Sequence, residues 1–257
     1  MTINVLQLIC PSGYYGAERW VNALLSVPPS ADVMQHLAIT AEPGVCDEVL
    51  LRCGLPLDRQ HRVAMSSKFD LRVVQRLVQL IRRHNITIIH THGYKSDILG
   101  VLAAKWAGIK AICTPHGFEN ATDKKLQAYM WLGGKAFHWF DWVCPLSPDI
   151  MNTLLTQYRV KPHKVKLINN GVDLSEVERA LAASDSQKST KFTIGYIGQL
   201  ISRKNIAATI AAFAEFHQAV PASELILIGD GDERIKLEQQ VAELGLTGAV
   251  QFMGFRD

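Results

Sequence analysis

The six residues Phe192 to Ile197, FTIGYI, are too apolar for a strand with one face in water. They run straight into a glycine, a loop with two adjacent cations and an alanine-rich helical pattern that reaches Phe213. This reads as strand, loop, helix, with the strand in a parallel sheet covered on both faces. Ligands of open parallel sheets bind beyond the carboxyl ends of strands, where the next helix offers unpaired N–H groups and a partial positive charge. Gly198 lets the backbone approach a guest, Gln199 follows it, Ser202 or Asn205 caps the helix, and Arg203 and Lys204 add two formal charges. Cations near a helix N-terminus are disfavoured by roughly 0.3–1 kcal/mol each. The pair therefore breaks a local rule, and the reading is an anion site, most simply for phosphate or diphosphate.

The same grammar recurs from the start of the chain. Ile3 to Ile9 is an apolar strand, CPSGYYGAERW a glycine-bearing loop, and Ala17 to Val27 a helix. With only Gly13 and Gly16 available the dinucleotide spacing is incomplete, but Gly16 just before a helix can bring backbone N–H groups to an anion. Glu18 falls in the first turn, where it suits the helix dipole. His36 to Thr40 and Arg62 to Met65 read as strands. Asp70 to His84 is an amphipathic helix, capped by Asp70 or Ser67, that buries Leu71, Val74, Leu77, Val78 and Ile81 and shows Arg72, Arg76, Arg82 and Arg83 to solvent.

Ile86 to Ile89 is a strand ending in His90-Thr91-His92-Gly93. The two histidines share a face, as a His-x-His metal pair would, but the favoured reading is a polar strand end lining a cleft, with no metal. A helix from Ser96 to Ala107 closes at Gly108, and the strand Lys110 to Thr114 ends in TPHGF. Pro115 and Gly117 bracket His116 in a sharp turn that holds its ring over the sheet edge, suited to hydrogen-bonding a substrate hydroxyl or, more plainly, to capping a carbonyl.

Between Asp123 and Trp142 one helical stripe carries Leu126, Met130, Gly133, Phe137 and Phe140. A bulky core helix is the favoured reading; an interfacial belt of Trp131, Trp139 and Trp142 with Lys135 is the other. Trp142 to Leu146 reads as a strand, Pro148 to Tyr158 as a helix, and Val165 to Ile168 as a strand ending in NNGVD, with Asn170 at its tip. Residues 1–173 form a first domain, 174–190 a linker, and 191–257 a second piece of βαβαβ pattern, in which Glu224 to Gly229 is followed by Asp230 and a helix ended by Gly245.

Charge is uneven. Residues 1–173 hold 19 Lys and Arg against 13 Asp and Glu, and 174–257 hold 8 against 11, for a net +3 overall. A mildly basic first half suits an acidic or membrane-borne partner. No apolar run approaches the ~20 residues of a membrane span, and Met1 leads directly into a strand, so the expected location is cytoplasmic or peripheral on the inner face of the cytoplasmic membrane. Cys10, Cys46, Cys53, Cys113 and Cys144 are odd in number and contain no Cys-x-x-Cys pair, which fits a reducing compartment.

Taken in order, YGAE (Tyr15–Glu18), TPHGF around His116, INNGVD (Ile168–Asp173), IGQLISRKN (Ile197–Asn205), LILIGDGD (Leu225–Asp232) and FMG (Phe252–Gly254) resemble the retaining glycosyltransferases of family four over nearly the whole chain. The resemblance implies an α/β, GT-B-like fold: an N-terminal Rossmann-like domain on the acceptor side plus an incomplete second Rossmann-like domain for the donor. It also implies a nucleotide-diphosphate sugar bound in the interdomain cleft and transferred with anomeric configuration kept, as in cell-envelope polysaccharide assembly. The partners implied are the donor, a saccharide or lipid-linked acceptor and the membrane surface, with no nucleic acid, no cofactor and no metal.

By the same resemblance, Gly16 offers its backbone to the donor diphosphate. Arg203 and Lys204 neutralise the departing diphosphate, and His116 hydrogen-bonds the transferred sugar. Gly198, Gln199, Asn170 and Asp230 line the cleft. Two departures stand out. Gln199 sits where many relatives have arginine, and the chain ends before the family's pair of glutamates eight positions apart. An incomplete or inactive transferase is therefore expected, less stable than a full two-domain protein because Phe192 to Ile197 becomes a sheet edge. The alternatives are a non-catalytic nucleotide-sugar or partner-binding fragment, a GT-B nucleotide-sugar epimerase, and last a His-x-His metallohydrolase.

Overall fold

The computed structural model describes residues 2–11, 13–27, 30–42, 47–67, 70–118, 131, 133–171, 174–183 and 190–256. The chain divides into two compact units, Met1–Glu176 and Val177–Asp257.

The first unit is built on a six-stranded, wholly parallel sheet of order β3-β2-β1-β4-β5-β6. Its strands are β1 (Ile3–Ile9), β2 (Val33–Ala41), β3 (Gln60–Ala64), β4 (Ile88–His92), β5 (Lys110–Cys113) and β6 (Trp142–Val143). Apolar residues occur at successive positions of β1 and β2 because both faces are covered. On one face Ile9, Leu37 and Ile39 pack with Val21 and Leu25 of α1 (Gly16–Ser26) and with Val49 and Leu50 of α2 (Glu48–Leu51). On the other, Leu6, Leu8, Ala38 and Ile89 meet α3 (Arg72–Arg83) and α4 (Tyr94–Ala107) through Val73, Leu77, Ile81 and Val101. Each of these valine, leucine and isoleucine side chains, fully buried, contributes roughly 1.5–3 kcal/mol.

Several sequence expectations shift at element ends. α3 starts at Arg72, so Leu71 lies before it and is 71% exposed while Val73 takes the buried place. No side chain caps that helix end in the usual sense; Asp70 instead accepts the Arg72 N–H at 3.1 Å and pairs with both Arg72 and Arg76, so these two arginines are tied down rather than simply solvated. β6 is two residues long instead of five, and the strand expected at 165–168 is a single bridge from Val165 to Val143, since the chain passes through a 3-10 turn at Pro162–Lys164 first. Ser147 caps α5 (Pro148–Thr156), accepting from the Ile150 N–H. The expected stripe at Leu126 and Met130 lies outside the described residues, but Phe137 and Phe140 are fully buried. Residues 174–183 of the expected linker form α6 (Leu174–Ala183).

The second unit holds a parallel three-stranded sheet, β7 (Phe192–Ile197), β8 (Ser223–Ile228) and β9 (Val250–Gly254), with α7 (Ile206–Ala219) and α8 (Arg234–Glu243). Leu225, Leu227 and Val250 pack with Ile210, Phe213, Leu237 and Val241 on one face. The expectation that β7 is covered on both faces is corrected. Among the described residues it has one strand neighbour, β8, and alternate residues such as Ile197, 80% exposed, face away from that core.

Candidate active site

In the first unit β1 and β4 pair so that Gln7 lies beside His90 and Ile9 beside His92. The side chains of His90 and His92 therefore share the α1 face, and α1 lays Trp20 across them. Its ring centroid is 6.4 Å from His90, 5.3 Å from His92 and 5.3 Å from His116. The three histidines singled out separately in the sequence thus come together under one indole.

His116 is fixed from both sides of its turn. Thr114 N–H donates to the Thr91 carbonyl at 3.0 Å, the Tyr94 hydroxyl donates to the Gly117 carbonyl at 3.2 Å, and Phe118 packs against Tyr158 and Phe137. Gly117 has φ +142°, a conformation an L-residue rarely adopts.

The hydrogen bonds behind His116 form a line. Gln7 donates from Nε2 to Gln35 Oε1 at 3.1 Å and accepts at Oε1 from His92 Nε2 at 2.8 Å. That assigns the proton of His92 to Nε2, so its Nδ1 accepts from His116 Nε2 at 3.4 Å. Nδ1 of His116 is then left as an acceptor. Burial holds His116 at about 4, His90 at about 3 and His92 well below the ordinary value, with neighbouring histidines adding to the effect on the latter two. All three rings are neutral at pH 7, which suits hydrogen bonding and not proton donation. Sequence reading missed Trp20 and Gln7, because only the β1–β4 register and the packing of α1 bring them to the histidines.

Gly16 opens α1 one helical turn before Trp20, and a Cβ placed on it would meet nothing within 4 Å. The first-turn N–H groups of a helix have no intrahelical partners. Glu18 does more than suit the dipole: it is buried and accepts from the Tyr15 N–H at 3.1 Å, fixing the approach to the helix.

In the second unit Arg203 and Lys204 stand exposed in a 3-10 turn, Ser202–Lys204, directly before α7. Asn205 occupies the cap position at φ +49° and makes no side-chain cap bond. The loop above β7 is locked to the loop above β8. Gly198 N–H donates to the Ile228 carbonyl at 2.9 Å and Leu200 N–H to the Asp230 carbonyl at 3.0 Å. Gly229 has φ +138°, and a Cβ there would lie 1.9 Å from the Gly198 oxygen. Asp230 is held by Arg234 at 3.0 Å and by the Gly231 N–H at 2.8 Å, which lower its pKa, the backbone bond most. Gln199 uses its carbonyl to accept from the Tyr196 hydroxyl, and Asn170, in the first unit, is exposed.

The sequence profile of Glycosyltransferase Family 4 matches residues 34–176, more than half of the chain, and that of Glycosyl transferases group 1 matches residues 178–257. The chain belongs to Glycosyltransferase Family 4. Among curated relatives of this family member, the Escherichia coli UDP-Gal:alpha-D-GlcNAc-diphosphoundecaprenol alpha-1,3-galactosyltransferase is 27% identical over 73% of this chain and 52% of its own length. The Streptococcus pneumoniae alpha-monoglucosyldiacylglycerol synthase is 26% identical over 73% of this chain and 46% of its own. The family 4 chain spans about half the length of the curated relatives it matches.

Among solved structures, HepE of Anabaena in complex with UDP superimposes with a TM-score of 0.76 at 21% identity, over 99% of this chain and 70% of that one. The Neisseria meningitidis UDP-GlcNAc 2-epimerase bound to UDP-GlcNAc gives 0.66 at 14%, over 99% and 73%. Identities this low establish the fold, the α/β GT-B class expected from the sequence.

Proposed function

We propose that this chain carries the nucleotide-sugar machinery of a glycosyltransferase that moves a sugar from a uridine-diphosphate donor to a lipid-linked saccharide or lipid acceptor with retention of configuration. The reading rests on one observation above all: both family profiles lie end to end along a chain whose first unit holds a neutral, braced His116 packed against Trp20 of the helix that Gly16 opens. In that unit His116 Nδ1 accepts a hydrogen bond from a hydroxyl of the transferred sugar, and the Gly16 backbone approaches the diphosphate. In the second unit Arg203 and Lys204 stabilise the negative charge that grows on the leaving diphosphate. Cations that stand where negative charge develops stabilise the transition state electrostatically. Gly198 and Gln199 follow β7 and Asp230 follows β8, and with the exposed Asn170 they supply secondary contacts to the donor. The diphosphate is served by two cations and helix dipoles, with no metal or cofactor in the proposed chemistry.

The uridine donor is supported by the UDP-sugar named for the E. coli relative and the UDP in HepE. Calorimetric titration tests it. UDP and UDP-glucose or UDP-galactose are expected to bind with one-to-one stoichiometry, and no heat with any of them removes the reading.

A membrane-surface location follows from the acceptor class and from four exposed tryptophans, Trp106, Trp131, Trp139 and Trp142, 44–64% exposed, with Lys135 lying 5.6 Å from the Trp131 ring centroid. No described helix is long and apolar enough to cross a membrane. Trp131→Ala with Trp139→Ala is expected to weaken binding to phosphatidylglycerol vesicles, read by sedimentation, by roughly 10-fold or more, since each buried aromatic contributes on the order of 1 kcal/mol at an interface. Equal sedimentation of variant and parent would contradict it.

A further inference from the structure

On the sheet face opposite His90 and His92 lies a second group of histidines that the glycosyl-transfer reading does not use. His36 lies on β2 in register with Leu6, and His61 on β3 in register with Ala38. Leu6 and Ala38 belong to the α3 side of the sheet, so both rings point there. His84 is the residue that ends α3.

Ring centroids are 4.5 Å apart for His61 and His84 and 5.4 Å for His36 with either of the others. His36 Nδ1 faces His61 Nε2 at 3.1 Å, and one ligand nitrogen from each of the three rings lies within 4.8 Å of the others. Nε2 of His36 is buried with no hydrogen-bond partner. A metal bound at Nδ1 leaves this Nε2 unpaired, so it is the spacing of the three ring nitrogens that fits an ion.

We propose that His36, His61 and His84 form a binding site for a divalent transition-metal ion of zinc type, which ties the edge strand β3 to β2 and to the end of α3. Two nitrogens bound to one tetrahedral zinc at ~2.0–2.1 Å lie roughly 3.3 Å apart, close to the 3.1 Å between His36 and His61. His84, only partly buried at a helix end, closes the remaining distance by turning its ring. The ligand backbones come from two paired strands and a helix end packed on them, so the site is framed before metal arrives. Three imidazoles favour zinc, cobalt, nickel or copper over magnesium or calcium, and they leave a fourth position for water. A cavity of about 400 Å³ lined by His61, His84, Arg62, Arg76 and Arg83 gives access from solvent. Two of those arginines are already paired, Arg62 with Asp47 and Arg76 with Asp70.

The test uses chelator-treated, tag-free protein titrated with Co²⁺ and Zn²⁺ alone. One equivalent of Co²⁺ is expected to bind with a visible d–d spectrum of a nitrogen-ligated, low-coordinate ion, to be displaced by Zn²⁺, and to raise the melting temperature. His61→Ala and His84→Ala are each expected to weaken binding by more than about 100-fold, beyond what loss of a mere supporting partner costs. His163→Ala, at an exposed turn, leaves it unchanged. Should His61→Ala fail to fold, His84→Ala, whose ring is partly exposed, decides alone. No binding, or binding that survives both substitutions, overturns the proposal.

Discussion

Replacing Arg203 and Lys204 together with alanine is expected to lower the affinity of the chain for UDP by at least ~100-fold, on the basis that each charge-assisted hydrogen bond to a diphosphate oxygen is worth roughly 1.5–3 kcal/mol. Both side chains are exposed, and the ion pairs among the described residues of their unit include those of Lys191, Arg234 and Lys236 but not theirs. They are not holding the fold together, so the double variant should melt at the parent's temperature. Each single variant should lose roughly 10-fold or more, and the parent's affinity should fall as salt rises, because exposed charges are screened. Calorimetry at two ionic strengths reads all of this. An unchanged Kd in the double variant would remove the diphosphate assignment.

The second large effect is on stability. In the folded first unit burial keeps His61 and His116 at about 4 and His90 at about 3, and it also lowers His36 and His92, against an ordinary 6.5. Between those values the unfolded chain binds more protons than the folded one. The stability these rings contribute is thus fully present above pH 6.5 and is lost as pH falls toward their folded values. Asp97 acts in the opposite sense: burial, resisted by its bond from the Thr91 hydroxyl, lifts it from 3.8 to about 7. Its contribution is fully present below its unfolded value and is lost as pH rises through 7.

Several imidazoles outweigh one carboxyl. Each net proton is worth about 1.4 kcal/mol per pH unit, so the first unit is expected to lose on the order of 5 kcal/mol between pH 6.5 and 4.5, comparable with a whole domain's stability. Urea titrations of metal-free protein across that range, followed by tryptophan fluorescence, give the slope. Asp97→Asn should steepen it, since the opposing group is gone. A midpoint independent of pH would mean that the rings are charged and solvated in the folded state.

Legibility in the sequence followed the range of the interaction concerned. Local signals carried over well. Gly108 closes α4 at φ +73° and Gly245 follows α8 at φ +68°, because the left-handed conformation needed there is set by a few neighbouring atoms. The alternation of apolar runs and helices gave two parallel sheets. Faces and edges were less legible. FTIGYI looks the same whether one of its faces is covered or both, so the exposure of Ile197 depends on what packs on that face and not on the strand itself. Leu71 fits the helical period of α3, yet the helix begins one residue later.

The site was legible as parts. His90, His92 and His116 stood out through strand ends and a Pro-Gly turn, but Gln7 and Trp20 join them only through register and helix packing. His36, His61 and His84 lie on three elements, 25 and 23 positions apart in sequence, and share no short motif. Only the parity of β2 and β3 and the end point of α3 bring them together.

The claim that matters most is that this chain holds a nucleotide-diphosphate sugar with His116 against the sugar. Imidazole-labelled protein, with the His116 signals assigned from His116→Gln, puts it to direct test by nuclear magnetic resonance. Adding UDP-glucose or UDP-galactose should move the His116 Nδ1 resonance as it accepts a hydroxyl proton, while UDP alone should leave it close to its free position. Saturating sugar nucleotide that leaves His116 where UDP leaves it would contradict the account.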